Sequence, residues 1–233
     1  AEMRGLLMNE DGVDGSVHCY DFYRDVAFEG DRELFQKYGY RYDITAIAPG
    51  TINGEYIKNS GHYHGYIEGK GQPYPEIYEV IHGELFFIMQ KSKNFDNPDE
   101  EPVIESAKAV RVTAGQAIVV PPFYAHCAVN IGGEPVLFSN IAVVACPLFY
   151  DPIKRRRGLC HYAVERDGRP AFVRNAHYAG APDIEQVRPK ENPELGIAFG
   201  KPIYREFIGN PDIYRFMLDP APYVDRLERM LAE

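Results

Sequence analysis

A jelly-roll β-barrel, an all-β fold, is the fold class that the sequence predicts. Short alternating or apolar runs, each of about five to eight residues, fill the centre of the chain, as in EIYEVIHGELFFIMQ. Tight-turn sequences such as IHGE, NIGGEP and ERDGRP separate these runs. Because a double-sheet jelly roll is one way in which antiparallel strands avoid exposed edges, this fold accounts for the pattern.

The strand-like runs follow one another with few helical interruptions. In chain order they are YRYDITAIAPG, EIYEVIHGELFFIMQ, PVIESAKAVRVTAG, QAIVVPP, AHCAVNIGGEPVLFSNIAVVA and LCHYAVERDGRPAFVRN. The segment KNFDNPDEEP is polar and predicts a surface loop. Helical spacing occurs at DRELFQKYG and at APYVDRLERMLAE, where Tyr223, Leu227 and Met230 share one face.

One globular domain is expected, because 233 residues with 45% hydrophobic content supply one sizeable core. We expect a β-barrel domain with an N-terminal extension over residues 1–175. Residues 176–233 are expected to form a C-terminal tail whose terminal helix packs on the barrel. The Pro-rich stretch from about residue 175 to residue 222 predicts an irregular wrap.

Composition excludes several classes of partner. The net charge of −9, with no basic run longer than KRRR, argues against nucleic acid and anionic membranes. No window approaches the ~18 consecutive apolar residues of a membrane span, and AEMRGLLMNEDG does not resemble a signal peptide. We therefore expect a cytoplasmic protein. The four cysteines form no C-x-x-C pair and are expected to be free thiols.

Two histidines separated by one residue raise the question of a metal site. In an extended chain residues i and i+2 point to the same face, so His62 and His64 point together. Histidine pairs on strands are also often solvent-facing or hydrogen-bonded, so the pair alone does not show that a metal binds here. A second block, GQAIVVPPFYAHCAVN, adds His126 in a strand–turn–strand frame. Three imidazoles and one carboxylate would suit Fe, Mn, Ni or Zn.

Three carboxylates compete for the fourth position. Glu68 lies in GYIEGKGQPYP, whose glycines and prolines predict a loop. Glu76 begins the strand-like run EIYEVI and shares its face with Tyr78, whereas Glu79 points the other way. We choose Glu76, with Glu68 left as the alternative ligand or as a lid residue.

These segments carry a family resemblance. The GHYH sequence, Glu76 followed by six residues and Gly83, and the spacing from Gly115 to Asn130 resemble the two cupin motifs. APGTINGEYIKNSGHYH, PEIYEVIHGE and VVPPFYAHCAVNIGGEP are similar to the cupin-type, archaeal-type glucose-6-phosphate isomerases. The resemblance covers roughly residues 40 to 140.

The resemblance implies a cupin double-stranded β-helix, a homodimer and a metal inside the barrel. The residues that match its metal ligands are His62, His64, Glu76 and His126. The implied ion is Fe2+, with Mn2+, Ni2+ or Zn2+ as alternatives. The implied substrates are glucose-6-phosphate and fructose-6-phosphate.

Further roles follow from the resemblance one residue at a time. The positions that match sugar-phosphate contacts are Thr45, Asn59, Ser60 and Gly61, with Asn59 in place of the usual Thr. Thr45 could equally be an ordinary strand residue. Tyr78 matches a substrate-facing tyrosine, and otherwise is a barrel-filling aromatic.

Three departures from the short archaeal enzymes stand out. The loop between His64 and Glu76 is longer, and the tail has no counterpart in those enzymes. After the second motif Tyr150 is retained as a substrate-binding candidate, but Ala142 and Leu148 replace a Tyr and a His. The chain therefore resembles a longer branch of the family, whose substrate could differ.

Isomerisation of an aldose to a ketose needs a base and stabilisation of a developing oxyanion. Glu76 is the candidate base, with Tyr78 or a hydroxide on the metal as alternatives. The same donor set also serves O2-dependent cupin dioxygenases, and some cupins only bind sugars. Polar donors around residues 59–61 favour a hydrophilic sugar phosphate and hence the isomerase.

Overall fold

The computed structural model describes residues 3–232; Ala1, Glu2 and Glu233, the last residue of the predicted terminal helix, lie outside this range. Within it the strands are β1 (Tyr20–Tyr23), β2 (Tyr40–Ile47), β3 (Thr51–Ile52), β4 (Glu55–Tyr56), β5 (Tyr63–His64), β6 (Glu76–His82), β7 (Glu84–Lys91), β8 (Ser106–Thr113), β9 (Ala117–Val120), β10 (Tyr124–Asn130), β11 (Val136–Val143), β12 (Leu148–Phe149), β13 (His161–Arg166), β14 (Arg169–Arg174) and β15 (Glu185–Val187). The α-helices are α1 (Arg32–Tyr38), α2 (Asp151–Lys154), α3 (Ile203–Gly209) and α4 (Val224–Arg229), with 3-10 helices at Pro193–Leu195, Pro211–Met217 and Ala221–Tyr223.

Two sheets carry the fold. One has the strand order β1-β2-β11-β6-β9, and the other has the order β10-β7-β8-β15. The chain passes from one sheet to the other as it goes from β6 to β7, from β8 to β9, from β9 to β10 and from β10 to β11. This topology is a jelly roll, and the prediction of an all-β jelly-roll fold is confirmed. Within residues 3–232 the hydrogen-bonded ladders form open sheets and do not close into a single barrel.

Side chains on β6 alternate between two hydrophobic clusters. Tyr78 and Val80 point between the two sheets, where they join Phe87 and Phe138 in the main core. The rings of Tyr78 and Phe87 lie 4.9 Å apart. Ile77 points to the opposite face and belongs to a second cluster. The period of two that was expected for this strand therefore places Tyr78 inside the jelly roll.

The second cluster is covered by α1 and by the C-terminal segment. Phe35 of α1 and Phe207 of α3 contact each other with ring centroids 4.5 Å apart, and Leu227 of α4 is fully buried beside them. The predicted helix at DRELFQKYG is confirmed as α1.

The prediction of an irregular wrap is wrong for two parts of the C-terminal segment. β15 pairs in parallel with β8, and α3 buries Ile203, Tyr204 and Phe207. Apolar residues at helical spacing bury one face against the sheet, which favours a helix there. The division of the chain at residue 175 stays a prediction.

Smaller ladders complete the structure. β3 and β4 pair with each other and, through β13, with β14. The tight turn predicted at ERDGRP joins β13 and β14, and its Asp167 and Gly168 have positive φ. β5 pairs with β12, which brings His64 opposite Leu148.

Two further expectations concerned the cysteines and membrane-spanning segments. All four cysteines are free, as predicted. In residues 3–232 every helix is too short or too polar to cross a membrane.

Candidate active site

Four side chains converge between the two sheets. His62, His64, Glu76 and His126 each offer a ligand atom, and these atoms lie within 4.8 Å of one another. All four residues are buried. These are the four residues that the sequence selected as metal ligands, and Glu68 lies on an exposed loop outside the cluster.

Strand pairing positions the histidines. His62 and His126 form an antiparallel bridge, in which each backbone N–H donates to the other residue's carbonyl. His64 follows on the same strand-like segment with its side chain on the same face. Glu76 is the first residue of β6 and lies opposite Val120 of β9. The site therefore joins strands of both sheets.

The Glu76 carboxylate is held at both oxygens. Asn140 of β11 donates through Nδ2 to Oε1 at 2.6 Å. Tyr78 donates its hydroxyl proton to Oε2 at 2.7 Å, and His64 Nε2 lies 2.9 Å from the same oxygen. The Tyr78 hydroxyl also lies 2.7 Å from Nε2 of His126. The carboxylate thus has a single orientation, set by Asn140 on the neighbouring strand β11 and by Tyr78 on its own strand.

The ring of His64 is oriented from outside the cluster. Its Nδ1 lies 2.9 Å from the carbonyl oxygen of Tyr74, so that Nδ1 carries the proton and Nε2 faces Glu76. A histidine that donates one ring N–H to a carbonyl while offering the other nitrogen is the usual arrangement of metal-ligating histidines.

Burial sets the protonation states of the cluster. Burial, followed by the neighbouring His64, lowers the pKa of His62 to about 4. Burial and the two other imidazoles lower the pKa of His126 well below its usual value. Burial acts to raise the pKa of Glu76, but His64 and further neighbours outweigh it and leave this pKa lowered. At neutral pH His62 and His126 are therefore neutral imidazoles and Glu76 is a carboxylate, which are the forms that bind metals.

The pKa of Tyr78 is shifted in the opposite direction, upwards. Burial, and next the Glu76 carboxylate, raise the pKa of the Tyr78 phenol well above its usual value. The phenol is therefore a proton donor at neutral pH. The donor set as a whole, three imidazole nitrogens and a carboxylate, fits a borderline divalent ion and can hold one.

A cavity of about 640 Å³ opens from the cluster towards solvent. Its polar and charged lining comprises Tyr20, Asp21, Arg24, Arg41, Asp43, Thr45, Asn59, Ser60, His62, His64, Glu76, Tyr78, Asn140, Tyr150 and Lys154. Its apolar lining includes Phe22, Phe138, Ala142 and Leu148. This volume is in the range of small-molecule sites.

Four of the five candidate substrate contacts line this cavity. Thr45, Asn59, Ser60 and Tyr150 do so, and the Tyr150 ring lies 5.1 Å from that of His62. Gly61 packs away from it, since a Cβ there would meet Leu159 Cδ1 at 2.5 Å.

The Asn59 side chain is already engaged. Its Oδ1 accepts a hydrogen bond from the backbone N–H of Ala128 at 2.8 Å. Only the Nδ2 group of this amide is left to meet a ligand. The neighbouring Lys58 is buried and bonded to Glu55, so that its charge is neutralised outside the cavity.

Sequence reasoning missed several cavity residues. Asn140, Arg41 and Asp43 lie on the central strands, and Arg24 and Lys154 lie on segments outside the two motifs. Strand parity with Thr45 would have found Arg41 and Asp43, because all three side chains share one face of β2. No local signal marks Arg24 or Lys154.

Comparison with known proteins agrees with this arrangement. Residues 5–181 match the family model described as glucose-6-phosphate isomerase (GPI). A glucose-6-phosphate isomerase of Thermococcus gammatolerans is 25% identical over 183 residues, which cover 77% of this chain and 85% of that protein. The glucose-6-phosphate isomerase of Thermococcus kodakarensis is 28% identical over 182 residues, covering 76% and 84% respectively.

Among solved structures the chain also matches oxalate oxidase in complex with the substrate analogue glycolate. That structure has a TM-score of 0.39 and 19% identity, and the match covers 63% of this chain and 69% of that one.

A buried three-histidine, one-glutamate cluster inside a jelly roll defines a cupin-type candidate metal centre. The chain belongs to the glucose-6-phosphate isomerase family, which is a family of aldose–ketose isomerases, and the predicted family is confirmed.

Proposed function

We propose that this protein interconverts glucose-6-phosphate and fructose-6-phosphate through an enediol, with the help of a divalent metal ion. The observation that carries the proposal is the buried His62, His64, Glu76 and His126 cluster at the end of a substrate-sized cavity. Membership of the isomerase family supports the choice of substrates.

The four cluster residues would hold the ion, with Fe2+ proposed first and Mn2+, Ni2+ or Zn2+ as alternatives. A divalent ion bound there supplies Lewis-acid polarisation of sugar oxygens. The lowered pKa values of His62 and His126 leave one ring nitrogen of each without a proton, and so available as a ligand.

The chain's own residues would manage the proton between C1 and C2. Glu76 is the proposed base, and Asn140 fixes its orientation through the 2.6 Å hydrogen bond to Oε1. Tyr78 holds a proton 2.7 Å from Oε2 of Glu76 and would donate it to an oxygen of the sugar or share it with the carboxylate. Proton transfer by a positioned group typically contributes about 10²–10⁴-fold in rate.

Binding and orientation fall to the cavity wall. Thr45, Asn59, Ser60 and Tyr150 would hydrogen-bond the open-chain sugar phosphate, and Gly61 allows their segment to pack closely against Leu159 behind them. Strands of both sheets surround the inner end of the cavity. This limits access of bulk water to an enediol.

The experiment is an anaerobic assay of metal-loaded protein with fructose-6-phosphate, in D2O and without a nicotinamide cofactor. Glucose-6-phosphate should form, and deuterium should enter at C2 to the extent that the base exchanges its proton with solvent. Protein that binds hexose phosphates without interconverting them would overturn the proposal in favour of a sugar-binding cupin. Consumption of O2 with an organic substrate would overturn it in favour of a dioxygenase.

A homodimer and a cytoplasmic location belong to the same proposal: the family resemblance implies the first, and the second is the location expected in the sequence analysis. Light scattering coupled to size exclusion measures the first, and cell fractionation measures the second.

A further inference from the structure

We propose that Arg24 and Lys154 form a cationic subsite at the mouth of the cavity that recognises the phosphate of a sugar monophosphate. The inference rests on the proposed function for the identity of the ligand. It names two residues that neither cupin motif contains and that lie on different segments of the chain, one after β1 and one at the end of α2.

The charges lining the cavity single out these two residues. Three basic residues line it, but Arg41 donates through Nε to Asp43 at 2.7 Å, and Asp43 is fully buried. Within residues 3–232, Arg24 and Lys154 have no carboxylate partner within salt-bridge distance. In a chain with a net charge of −9, two unpaired cations beside one cavity form a local anion site.

Arg24 is held in place by its neighbours. The next residue, Asp25, donates its backbone N–H to Oδ1 of Asp43 at 2.9 Å and accepts a bond from Arg32 with its side chain. The Asp25 carboxylate is therefore paired with Arg32. The Arg24 guanidinium carbon lies 4.8 Å from the ring centre of Phe22, which lines the cavity. His62 of the metal cluster lines the same cavity as Arg24.

Lys154 approaches the same histidine through an aromatic ring. Its ammonium nitrogen lies 5.8 Å from the ring centre of Tyr150, and that ring lies 5.1 Å from His62. The cation is thus separated from the metal cluster by one aromatic ring. A hexose 6-phosphate is extended in the same way: its phosphate and its carbonyl lie at opposite ends of the carbon chain.

The remaining wall offers little charge for a phosphate. Ala142 and Leu148 are apolar, and the Asn59 amide already accepts a backbone N–H with its oxygen. Phosphate groups bind best to charged donors, above all to guanidinium groups that can donate two hydrogen bonds. Arg24 and Lys154 supply that charge.

The test measures binding, apart from turnover. Calorimetry with metal-loaded protein uses glucitol 6-phosphate, an inert sugar phosphate without a carbonyl, and glucitol as the uncharged partner. The variants are Arg24→Gln, Lys154→Gln and the double variant, with Arg155→Gln as the matched control. Arg155 is the exposed residue next to Lys154, and it does not line this cavity.

Each single variant should weaken glucitol 6-phosphate binding by roughly tenfold, and the double variant by more than either. Arg155→Gln should bind like the wild type. Binding to the wild type should weaken as salt rises, because exposed charges are screened. If the protein isomerises fructose-6-phosphate, KM in Arg24→Gln and in Lys154→Gln should rise by the same factor as the loss of glucitol 6-phosphate affinity. The value of kcat should change less than about twofold.

Three results would overturn the subsite. These are unchanged affinity in the double variant, an equal loss in the Arg155→Gln control, or wild-type affinity that is the same for glucitol as for glucitol 6-phosphate. Failure of the proposed function looks different. In that case the wild type binds glucitol 6-phosphate and the variants lose it, but fructose-6-phosphate is not converted, and the subsite stands without the isomerase.

Discussion

Asn140→Leu tests how the Glu76 carboxylate is held. Asn140 Nδ2 donates to Oε1 of Glu76 at 2.6 Å, and leucine keeps a branched shape while removing this donor. A hydrogen bond to a charged group is worth about 1.5–3 kcal/mol. The bond is already present without an ion, so the loss in metal affinity should be smaller than this value and should reflect only the orientation of the carboxylate for ligation. Losses of outer partners typically lower metal affinity by about 10–100-fold, which is the range we expect.

The assay is a competition titration of metal against a chelator of known affinity, with the melting temperature measured in parallel. Thr45→Val is the matched control, because Thr45 is buried, lines the same cavity and has no hydrogen bond to Glu76. Its metal affinity should match the wild type. Asn140→Leu that folds and binds metal with wild-type affinity would refute the orienting role of this amide.

The remaining predictions concern the ligands, the second cluster and one buried acid. His126→Ala should lose most bound metal while keeping the wild-type circular dichroism spectrum, since one of four ligands leaves a preformed scaffold; full metal content would count against the site. Glu76→Gln should lower metal affinity and turnover together, whereas Glu68→Gln should change kcat modestly at most, and the reverse order would show that the wrong carboxylate was chosen. Leu227→Ala should lower the free energy of unfolding by about 2–5 kcal/mol, because the side chain is fully buried; a loss in urea titration below about 1 kcal/mol would show that α4 contributes little. Burial raises the pKa of Glu79 in the folded protein above its ordinary value of 4.5. Protonated Glu79 therefore contributes fully to folding stability below pH 4.5, and this contribution is lost as the pH rises through the raised pKa. Glu79→Gln should therefore be more stable than the wild type at pH 7 and lose that part of the pH dependence, since the amide oxygen can still accept the N–H of Ile203; equal stability at pH 7 would contradict the burial cost.

Strand periodicity predicted much of the site. The i, i+2 rule placed His62 beside His64 and Tyr78 beside Glu76, and it turned Glu79 to the opposite face, where it accepts a hydrogen bond from Ile203. These residues lie within single strands, so a local rule is sufficient.

Other features depend on contacts between distant segments. Asn140 meets Glu76 because β11 and β6 are neighbours, a pairing that no short sequence pattern encodes. Arg24 reaches the cavity because β1 adds to the edge of β2. The helix α3 was missed because its apolar residues lie in a Pro-rich segment, whose composition favoured a loop although burial against the sheet favours a helix.

The central claim is that isomerisation needs a divalent ion in the buried cluster. The most direct measurement is the anaerobic rate of fructose-6-phosphate conversion as metal-free protein is titrated with Fe2+. We predict no conversion without metal and a rise that levels off when each chain holds one ion, with His126→Ala flat throughout. Full activity in metal-free protein, or none at full loading, would contradict the account.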